Sequence, residues 1–388
     1  LSDEEPLDVS ISFEKAGPRK RLYFEPSRAT AAIVTCGGLC PGLNNVIRSA
    51  TLELIFNYGV RRVLGVRYGY QGLNPELGSP PLELTPDFVE RIHYLGGTVL
   101  GSSRGPQPVP VMVDYLQREG INVLFCVGGD GTQRGAHAIH EEVGRRGLKV
   151  SVVGIPKTID NDIAYVTTTF GYATALEKSE EVLRAAHTEA RSAPNGIGLV
   201  QLMGRDAGFI AAGAALISQE ANFVLVPEVP FPLEGENGLL DALEKRIRAR
   251  SHALIVVAEG AGQHLFADAP VSKDASGNVQ HHNIGLFLNE RIKAYFAQRG
   301  VPINLKYLDP SYLIRSVPAN GWDMYLSDQM ARHAVHAAMA GKTDVLVSSW
   351  FQRFVHLPIR TIVGKKKRLD RDDMVWTGVL AATGQPRW

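Results

Sequence analysis

The chain has 388 residues, 45% of them hydrophobic, enough to bury more than one core, so two domains are expected. Its 41 basic and 40 acidic residues leave a formal charge of +1, which argues against a general nucleic-acid or membrane-surface binder and makes any anion site local. No apolar run reaches the ~18–20 residues that cross a bilayer, the polar start at Leu1 to Glu5 gives no sign of a secretory leader, and three cysteines (Cys36, Cys40 and Cys126) fit a reducing cytoplasm rather than a disulfide framework.

Residues 1–22 are polar, without periodicity, and read as a poorly ordered arm. From Ala31 a strand, glycine turn and helix pattern begins and repeats. Ala31–Thr35 reads as a buried strand. Gly37-Gly38-Leu39-Cys40-Pro41-Gly42 breaks it, and Asn44 is placed to cap the next helix. Cys36 and Cys40 read as small residues packed under this turn, because no ligand pair follows at metal spacing. The turn lacks both the Gly-Lys-Ser/Thr of a Walker A loop and the Gly-x-Gly-x-x-Gly of a dinucleotide site. Taken alone it is either a tight turn or a phosphate cradle. Arg62–Val66 is the next strand candidate. Leu100-Gly101-Ser102-Ser103-Arg104-Gly105 then sets Arg104 among small residues, where a guanidinium can approach a phosphate closely.

Val123–Val127 is a strand feeding Gly128-Gly129-Asp130-Gly131-Thr132 and a helix near Gln133–Arg146. This turn offers bare amides, a hydroxyl and a carboxylate, which a polyphosphate and its metal ion require. Val150–Ile155 leads into Pro156-Lys157-Thr158-Ile159-Asp160-Asn161-Asp162. Here two carboxylates lie two residues apart with a hydroxyl beside them, the base a phosphoryl acceptor needs next to its own hydroxyl. Together the two turns point to phosphoryl transfer to an alcohol.

Further strand candidates are Ile197–Leu202, Phe223–Val226, Ala253–Ala258, Ile303–Tyr307 and Val345–Ser348. Helical stretches at Tyr172–Ala190, Asp206–Gln219, Gly238–Arg250, Ile284–Gln298 and Asp323–Ala340 lie between them. Such alternation implies parallel sheets covered by helices on both faces, with ligands at the carboxyl ends of the strands. Arg205, after Met203-Gly204 and at a helix start, is a better functional candidate than Met203, which alone reads as core. Glu259 suits either sugar hydroxyls or a helix cap. Lys306, Tyr312 and Arg315 share one segment whose two cations could grip a phosphate. Residues 260–282 read as a surface excursion, and Lys365-Lys366-Lys367-Arg368 as a solvated surface run rather than an anion site.

Taken in order, the turn at 37–44, Gly101-Ser102-Ser103-Arg104, the 128–132 turn, the 156–162 turn and Met203-Gly204-Arg205 resemble the 6-phosphofructokinases from about Tyr23 to Lys365. The Gly-Gly-Asp-Gly turn alone also occurs in NAD kinases and diacylglycerol kinases. With Tyr23-Phe24-Glu25-Pro26 and Asn195-Gly196-Ile197-Gly198, the chain is most similar to the plant-type and protist ATP-dependent branch. The resemblance implies an α/β fold of two doubly wound parallel-sheet domains with the active site in the cleft between them. A donor domain would span 23–165, completed by about 316–365. A sugar-phosphate domain would span 166–315, and a C-terminal extension 366–388.

The implied activity is transfer of the γ-phosphoryl of ATP to the 1-hydroxyl of fructose 6-phosphate in glycolysis, with Mg2+, in a cytoplasmic homodimer or homotetramer. By the same resemblance Asp160 is the base, with Thr158 and Asp162 beside it, and Asp130 is the magnesium-side carboxylate. Gly38, Arg104 and Arg205 would stabilise the phosphoryl group in flight. Tyr70, Gly105, Gly128, Gly131, Thr132, Gly135 and Lys157 would complete the donor site. Met203, Gly204, Glu259, Lys306, Tyr312 and Arg315 would hold the sugar phosphate.

Some positions depart from the short bacterial enzymes. Lys306 and Tyr312 stand where those have arginine and histidine, and Asn195-Gly196 replaces an arginine that reaches from a neighbouring subunit. Trp322 is bulkier than the small or polar residue usual near the substrate-phosphate helix. Glu228 stands where an effector-linked carboxylate would, but reads as a loop acid. Gly131 leaves room for a nucleotide α-phosphate and favours ATP. Lys157 is shared with pyrophosphate users, so pyrophosphate is the alternative donor, and another sugar phosphate the alternative acceptor. A non-catalytic sugar-phosphate-binding regulator is disfavoured by the intact Asp130, Thr158, Asp160, Asp162 and Arg205.

Overall fold

The computed structural model describes residues 12–267, 272–273 and 279–388. Its first half runs β1 (Glu14–Lys15), β2 (Thr30–Thr35), α1 (Leu43–Leu52), β3 (Arg62–Val66), β4 (Leu82–Glu83), α2 (Pro86–Val89), α3 (Val109–Arg118), β5 (Val123–Gly128), α4 (Asp130–Arg145) and β6 (Ser151–Pro156). A long helix, α5 (Tyr172–Ser192), then leads to β7 (Gly196–Leu202), α6 (Phe209–Ser218), β8 (Phe223–Leu225), α7 (Leu239–Arg250) and β9 (His252–Ala258). β10 (Ser272–Lys273) and β11 (Val279–Gln280) precede α8 (Ile284–Gln298), β12 (Asn304–Leu308), α9 (Ser311–Arg315) and α10 (Gly321–Met339). The hairpin β13 (Val345–Trp350) and β14 (Arg353–Pro358), α11 (Ile359–Ile362) and α12 (Met374–Thr383) follow.

β2, β5 and β6 are built almost wholly of buried residues, because helices cover both faces of their sheet. That eight-stranded sheet has the order β1-β14-β13-β6-β5-β2-β3-β4. Its central strands are parallel, while β1, β14 and β4 join antiparallel. The second sheet, β12-β7-β9-β8, is parallel throughout. The chain runs from β2 outward to β3 and then returns to place β5 on the other side of β2. The reversal puts the turns after β2 and β5 side by side at the carboxyl ends, where such sheets bind ligands. Cys36 N–H donates to Val127 O at 2.9 Å and locks the two turns together.

Three features differ from the sequence reading. Residues 12–22 do not all trail free: β1 pairs with β14, and Ala16 N–H donates to Phe354 O at 2.8 Å. The rest of the expected arm, 1–11, and parts of the 260–282 excursion lie outside the described residues. Asn44 does not cap α1. It lies inside the helix and bridges loop atoms instead, donating to Leu95 O at 3.0 Å and accepting from Val99 N–H at 2.9 Å. A buried side-chain amide left without partners is costly, and these two backbone bonds satisfy it. The expected start of α6 at Asp206 is delayed to Phe209, because the Glu228 carboxylate accepts from Gly208 N–H at 3.0 Å and fixes the entry.

The C-terminal segment crosses from one sheet to the other. Leu369 N–H donates to Glu228 Oε1 at 2.8 Å, α12 packs on α6, and Gln385 brackets Val224 with bonds of 2.7 and 3.1 Å. Glu228 therefore serves as a structural anchor for two backbone amides.

Candidate active site

A cleft of about 670 Å³ lies at the carboxyl ends of both sheets. One side of it is the N-terminus of α4. Asp130 is the first residue of that helix, and Gly129 precedes it in extended conformation. Free amides and the helix dipole make this a natural seat for phosphate. Tyr70 is buried beside it and donates its hydroxyl to Thr132 O at 2.6 Å. A side chain on Gly135 would put its Cβ 2.5 Å from the Tyr70 ring, so the bare glycine is what allows the ring to lie there. Gly128 lies under the turn: a Cβ there would collide with the Thr132 side chain.

Another side is the turn after β6. Thr158 donates to Asp162 Oδ1 at 2.7 Å, and Asp160 N–H donates back to Thr158 Oγ1 at 3.2 Å. Asn161 between the carboxylates has φ 55°, and its Oδ1 accepts from Thr169 N–H at 3.0 Å. This left-handed residue turns the chain sharply between Asp160 and Asp162. Burial pushes the Asp160 carboxyl up to about 8, with Asp162 and Glu259 adding to the shift.

From the second sheet, the Arg205 N–H points at Asp160 Oδ2 over 3.5 Å. Gly204, with φ 129°, accepts Gly260 N–H and ties the end of β7 to the end of β9. Glu259 follows β9. Its burial raises its pKa, and Arg205 works against that rise. Lys157 is buried, which lowers its pKa, and its ammonium donates to Gly38 O at 2.6 Å. It thus holds the first glycine turn against the β6 end.

Of the residues expected to act, Gly38, Tyr70, Arg104, Gly105, Asp130, Gly131, Thr132, Gly135, Lys157, Thr158, Asp160, Asp162, Met203, Arg205, Glu259 and Arg315 line this one cleft. Gly128, Gly204, Lys306 and Tyr312 do not. Lys306 is exposed on the edge strand β12, and Tyr312 is 73% exposed with the Arg315 guanidinium 4.8 Å from its ring centre. Trp322 also lies away from the cleft, exposed and 6.1 Å from the Tyr325 ring.

Sequence reasoning missed Ser103, Gln107, Arg134 and Asp206, which line the cleft. It also misplaced Lys366. That residue is no solvated bystander: its Nζ lies 2.5 Å from Asp162 Oδ2, 2.8 Å from Asp130 Oδ2 and 3.7 Å from Asp206 Oδ2. Burial works against its charge, but Asp162 and Asp130 outweigh that and hold its pKa above the ordinary lysine value. Asp130 is raised by burial, which Lys366 opposes. The only sequence signal was a block of four cations in a nearly neutral chain.

Among the described residues, no group of three or more His, Cys, Asp or Glu side chains is arranged to hold a metal by itself. A hard cation here would need one or two carboxylates plus oxygens from a bound phosphate, which is the usual arrangement for Mg2+. Asp130 fits that description, since its oxygen already faces a cation, the Lys366 ammonium.

The family model described as phosphofructokinase matches residues 30–338. The chain belongs to the phosphofructokinase family. Among the most similar relatives, the ATP-dependent 6-phosphofructokinase of Borreliella burgdorferi is 50% identical over 97% of this chain and 86% of its own. The enzyme of the same name from Trypanosoma brucei brucei is 46% identical over 98% and 78%. The ATP-dependent 6-phosphofructokinase 1 of Arabidopsis thaliana is 46% identical over 96% and 79%. The phosphofructokinase fold is seen again in solved structures. A pyrophosphate-dependent phosphofructokinase from Marinobacter aquaeolei superposes with a TM-score of 0.75 at 18% identity, covering 92% of this chain and 91% of its own. Pichia pastoris phosphofructokinase gives 0.71 at 23% identity, covering 99% and 39%. No helix of the described residues is long and apolar enough to cross a membrane.

Proposed function

We propose that this phosphofructokinase-family chain transfers the γ-phosphoryl of ATP to the 1-hydroxyl of fructose 6-phosphate, giving fructose 1,6-bisphosphate. One observation carries the reading: Asp130 of the donor turn and Asp162 of the acceptor turn come within reach of a single ammonium, at 2.8 and 2.5 Å. Donor and acceptor groups therefore meet at one point. The names of the relatives, at about half identity over nearly the whole chain, support the same activity.

In this reading the α4 amides and the Gly38 turn seat the polyphosphate. Asp130 would hold Mg2+, which when bound would neutralise charge on the phosphoryl group. Arg104 and Arg205 supply further positive charge as the group moves. Asp160 takes the proton of the sugar hydroxyl in its ionised form, which the Arg205 amide and the Lys366 charge favour against burial. Met203, Glu259 and Arg315 orient the sugar phosphate. Both substrates are anionic, so the barrier falls mainly through positioning and charge neutralisation. Residues 23–165 with 316–365 form the donor unit, and 166–315 the sugar-phosphate unit.

ATP is favoured over pyrophosphate by the floor of the donor side. Tyr70, Val109, Met112 and Ala138 line the cleft beside the phosphate turn and suit a flat nucleobase. Pyrophosphate has no such group to place. Lys306 is exposed on an edge strand and does not line this cleft, which fits a role across a boundary between copies in a homodimer or larger homo-oligomer. Three buried free cysteines support a reducing, cytoplasmic setting. The test is purified protein with Mg2+ and either ATP or pyrophosphate against a panel of sugar phosphates, with the product identified. Phosphoryl transfer from ATP to fructose 6-phosphate at the 1-position is expected. Preference for another donor or acceptor overturns the assignment.

A further inference from the structure

Lys366 enters the cleft from a segment outside both βα turns. A single antiparallel bridge pairs it with Ile163, and Lys367 N–H donates to Asp162 O at 2.8 Å. These contacts fix the backbone of residue 366 beside the acceptor turn. The neighbouring cations are used differently. Lys367 donates to Val166 O and Thr167 O at 2.7 and 3.0 Å, and Lys365 stands over the Tyr165 ring at 5.4 Å. Lys366 alone of the run lines the cleft, with its side chain 31% exposed.

Its three partners belong to different elements: Asp130 to α4, Asp162 to the turn after β6, and Asp206 to the segment between β7 and α6. Carboxylates repel one another when they converge, and either a retained proton or a cation between them relieves the repulsion. Here the chain supplies the cation.

We propose that Lys366 is a positioning residue that gathers Asp130, Asp162 and Asp206, and that it competes with the divalent cation of the donor for Asp130. The proposal rests on the reading of Asp130 as the metal-side carboxylate. Mg2+ takes carboxylate oxygens at about 2.0–2.1 Å. An ammonium on the same oxygen would then face a second positive charge, so the two contacts oppose each other. By linkage, each cation weakens the other by the same factor. Metal alone therefore binds poorly. Metal carried by a polyphosphate brings oxygens that the protein lacks, and it wins. Lys366 can let go of Asp130 and stay with Asp162, beside the acceptor. Metal entry is thereby made dependent on the donor.

The test titrates the full chain with Mn2+ alone, followed by its electron paramagnetic resonance. Lys366→Met should bind Mn2+ about tenfold more tightly than the parent, a usual size for such coupling. Lys366→Arg keeps the charge and should stay near the parent. Adding Asp130→Asn to Lys366→Met should remove the gain, which locates the effect at Asp130. A folded Lys366→Met protein that binds Mn2+ no better than the parent overturns the proposal. Removing the cation can also unfold the chain, so a second measurement uses the unmodified protein. Acylation of the Lys366 amine by an N-hydroxysuccinimide ester is followed by mass spectrometry, with exposed Lys293 as reference. Saturating Mn2+ should speed labelling of Lys366 relative to Lys293. Labelling that is unchanged or slower overturns the proposal. Neither measurement uses phosphoryl transfer, so failure of the parent to phosphorylate fructose 6-phosphate counts against the functional reading and is seen separately.

Discussion

Thr158 and Asp162 are joined by a 2.7 Å hydrogen bond from the threonine hydroxyl to Oδ1 of the carboxylate. The other oxygen of Asp162 is taken by Lys366 at 2.5 Å. Both ends of this carboxylate are thus engaged. Among the described residues, the Asp160 carboxylate meets a long contact from the Arg205 amide, 3.5 Å, which is weak by ordinary criteria. The two acids of one turn are therefore unequal, and Asp160 is the one open to a substrate hydroxyl.

Replacing Asp160 with Asn keeps the shape and removes the carboxylate proposed as the base. The expected loss is about 10²–10⁴ in kcat, with KM changed far less, because the sugar contacts elsewhere survive. Steady-state kinetics and a melting curve on one preparation check this. A well-folded Asp160→Asn protein that keeps near-parent kcat would remove Asp160 from the base role.

The same substitution has a stability signature. Burial raises the Asp160 carboxyl to about 8, whereas an unfolded Asp titrates near about 3.9. Between those values the native state keeps a proton that the unfolded state has lost. The stability of the neutral form is thus fully present at low pH and is lost as pH rises through the folded value. Asparagine cannot ionise. The melting temperature of Asp160→Asn should match the parent near pH 4 and exceed it increasingly toward pH 8, both measured without substrates. A constant difference across that range would contradict the buried-acid assignment.

Gly131 tests donor choice. A Cβ there meets nothing nearer than Arg134 Nη2 at 4.0 Å, and the position lies in the first turn of α4, where an acidic side chain is welcome. Gly131→Asp should therefore fold normally. Its negative charge at the phosphate seat should suppress ATP use and leave pyrophosphate use possible. Equal loss with both donors would point to damage rather than selection.

Gly135→Ala tests the wall instead of the charge. The new methyl would press on the Tyr70 ring from 2.5 Å and displace the hydroxyl that holds Thr132 O at 2.6 Å. Overpacking of this kind typically costs about 1–3 kcal/mol. Reduced melting temperature and a raised KM for ATP are expected, with KM for fructose 6-phosphate little changed. A paired Tyr70→Phe variant, which drops only the hydroxyl, should show the smaller effect of the two.

The sequence made the central strands plain because they are buried on both faces and therefore read as unbroken apolar runs, as in Val123–Gly128 and Ser151–Pro156. β1 and β4, two residues each, and the mixed pattern of β14 carried no such signal. Within the cleft, the glycine turns were legible as local chemistry. Lys366 was not: its partner Asp162 lies 204 residues away, and a lysine in a basic run gives no hint of which carboxylate it will find. Asn44 misled for the opposite reason. Its place near a helix start was right for a cap, but the loop at 95–99 folded over it and claimed both ends of the amide.

Gln385 holds the backbone of Val224 on the outer side of β8, accepting from the N–H at 2.7 Å and donating to the carbonyl at 3.1 Å. β8 is the last strand of its sheet, so this one side chain imitates the neighbour that β8 lacks. An open strand edge is a template for pairing with another molecule, and proteins guard against it. Replacing Gln385 with Ala would uncover that template while Trp388 keeps its packing on Phe231. Such a chain should clump through β8 rather than unfold, and a glutamine far from the chemistry would govern how concentrated the protein can become.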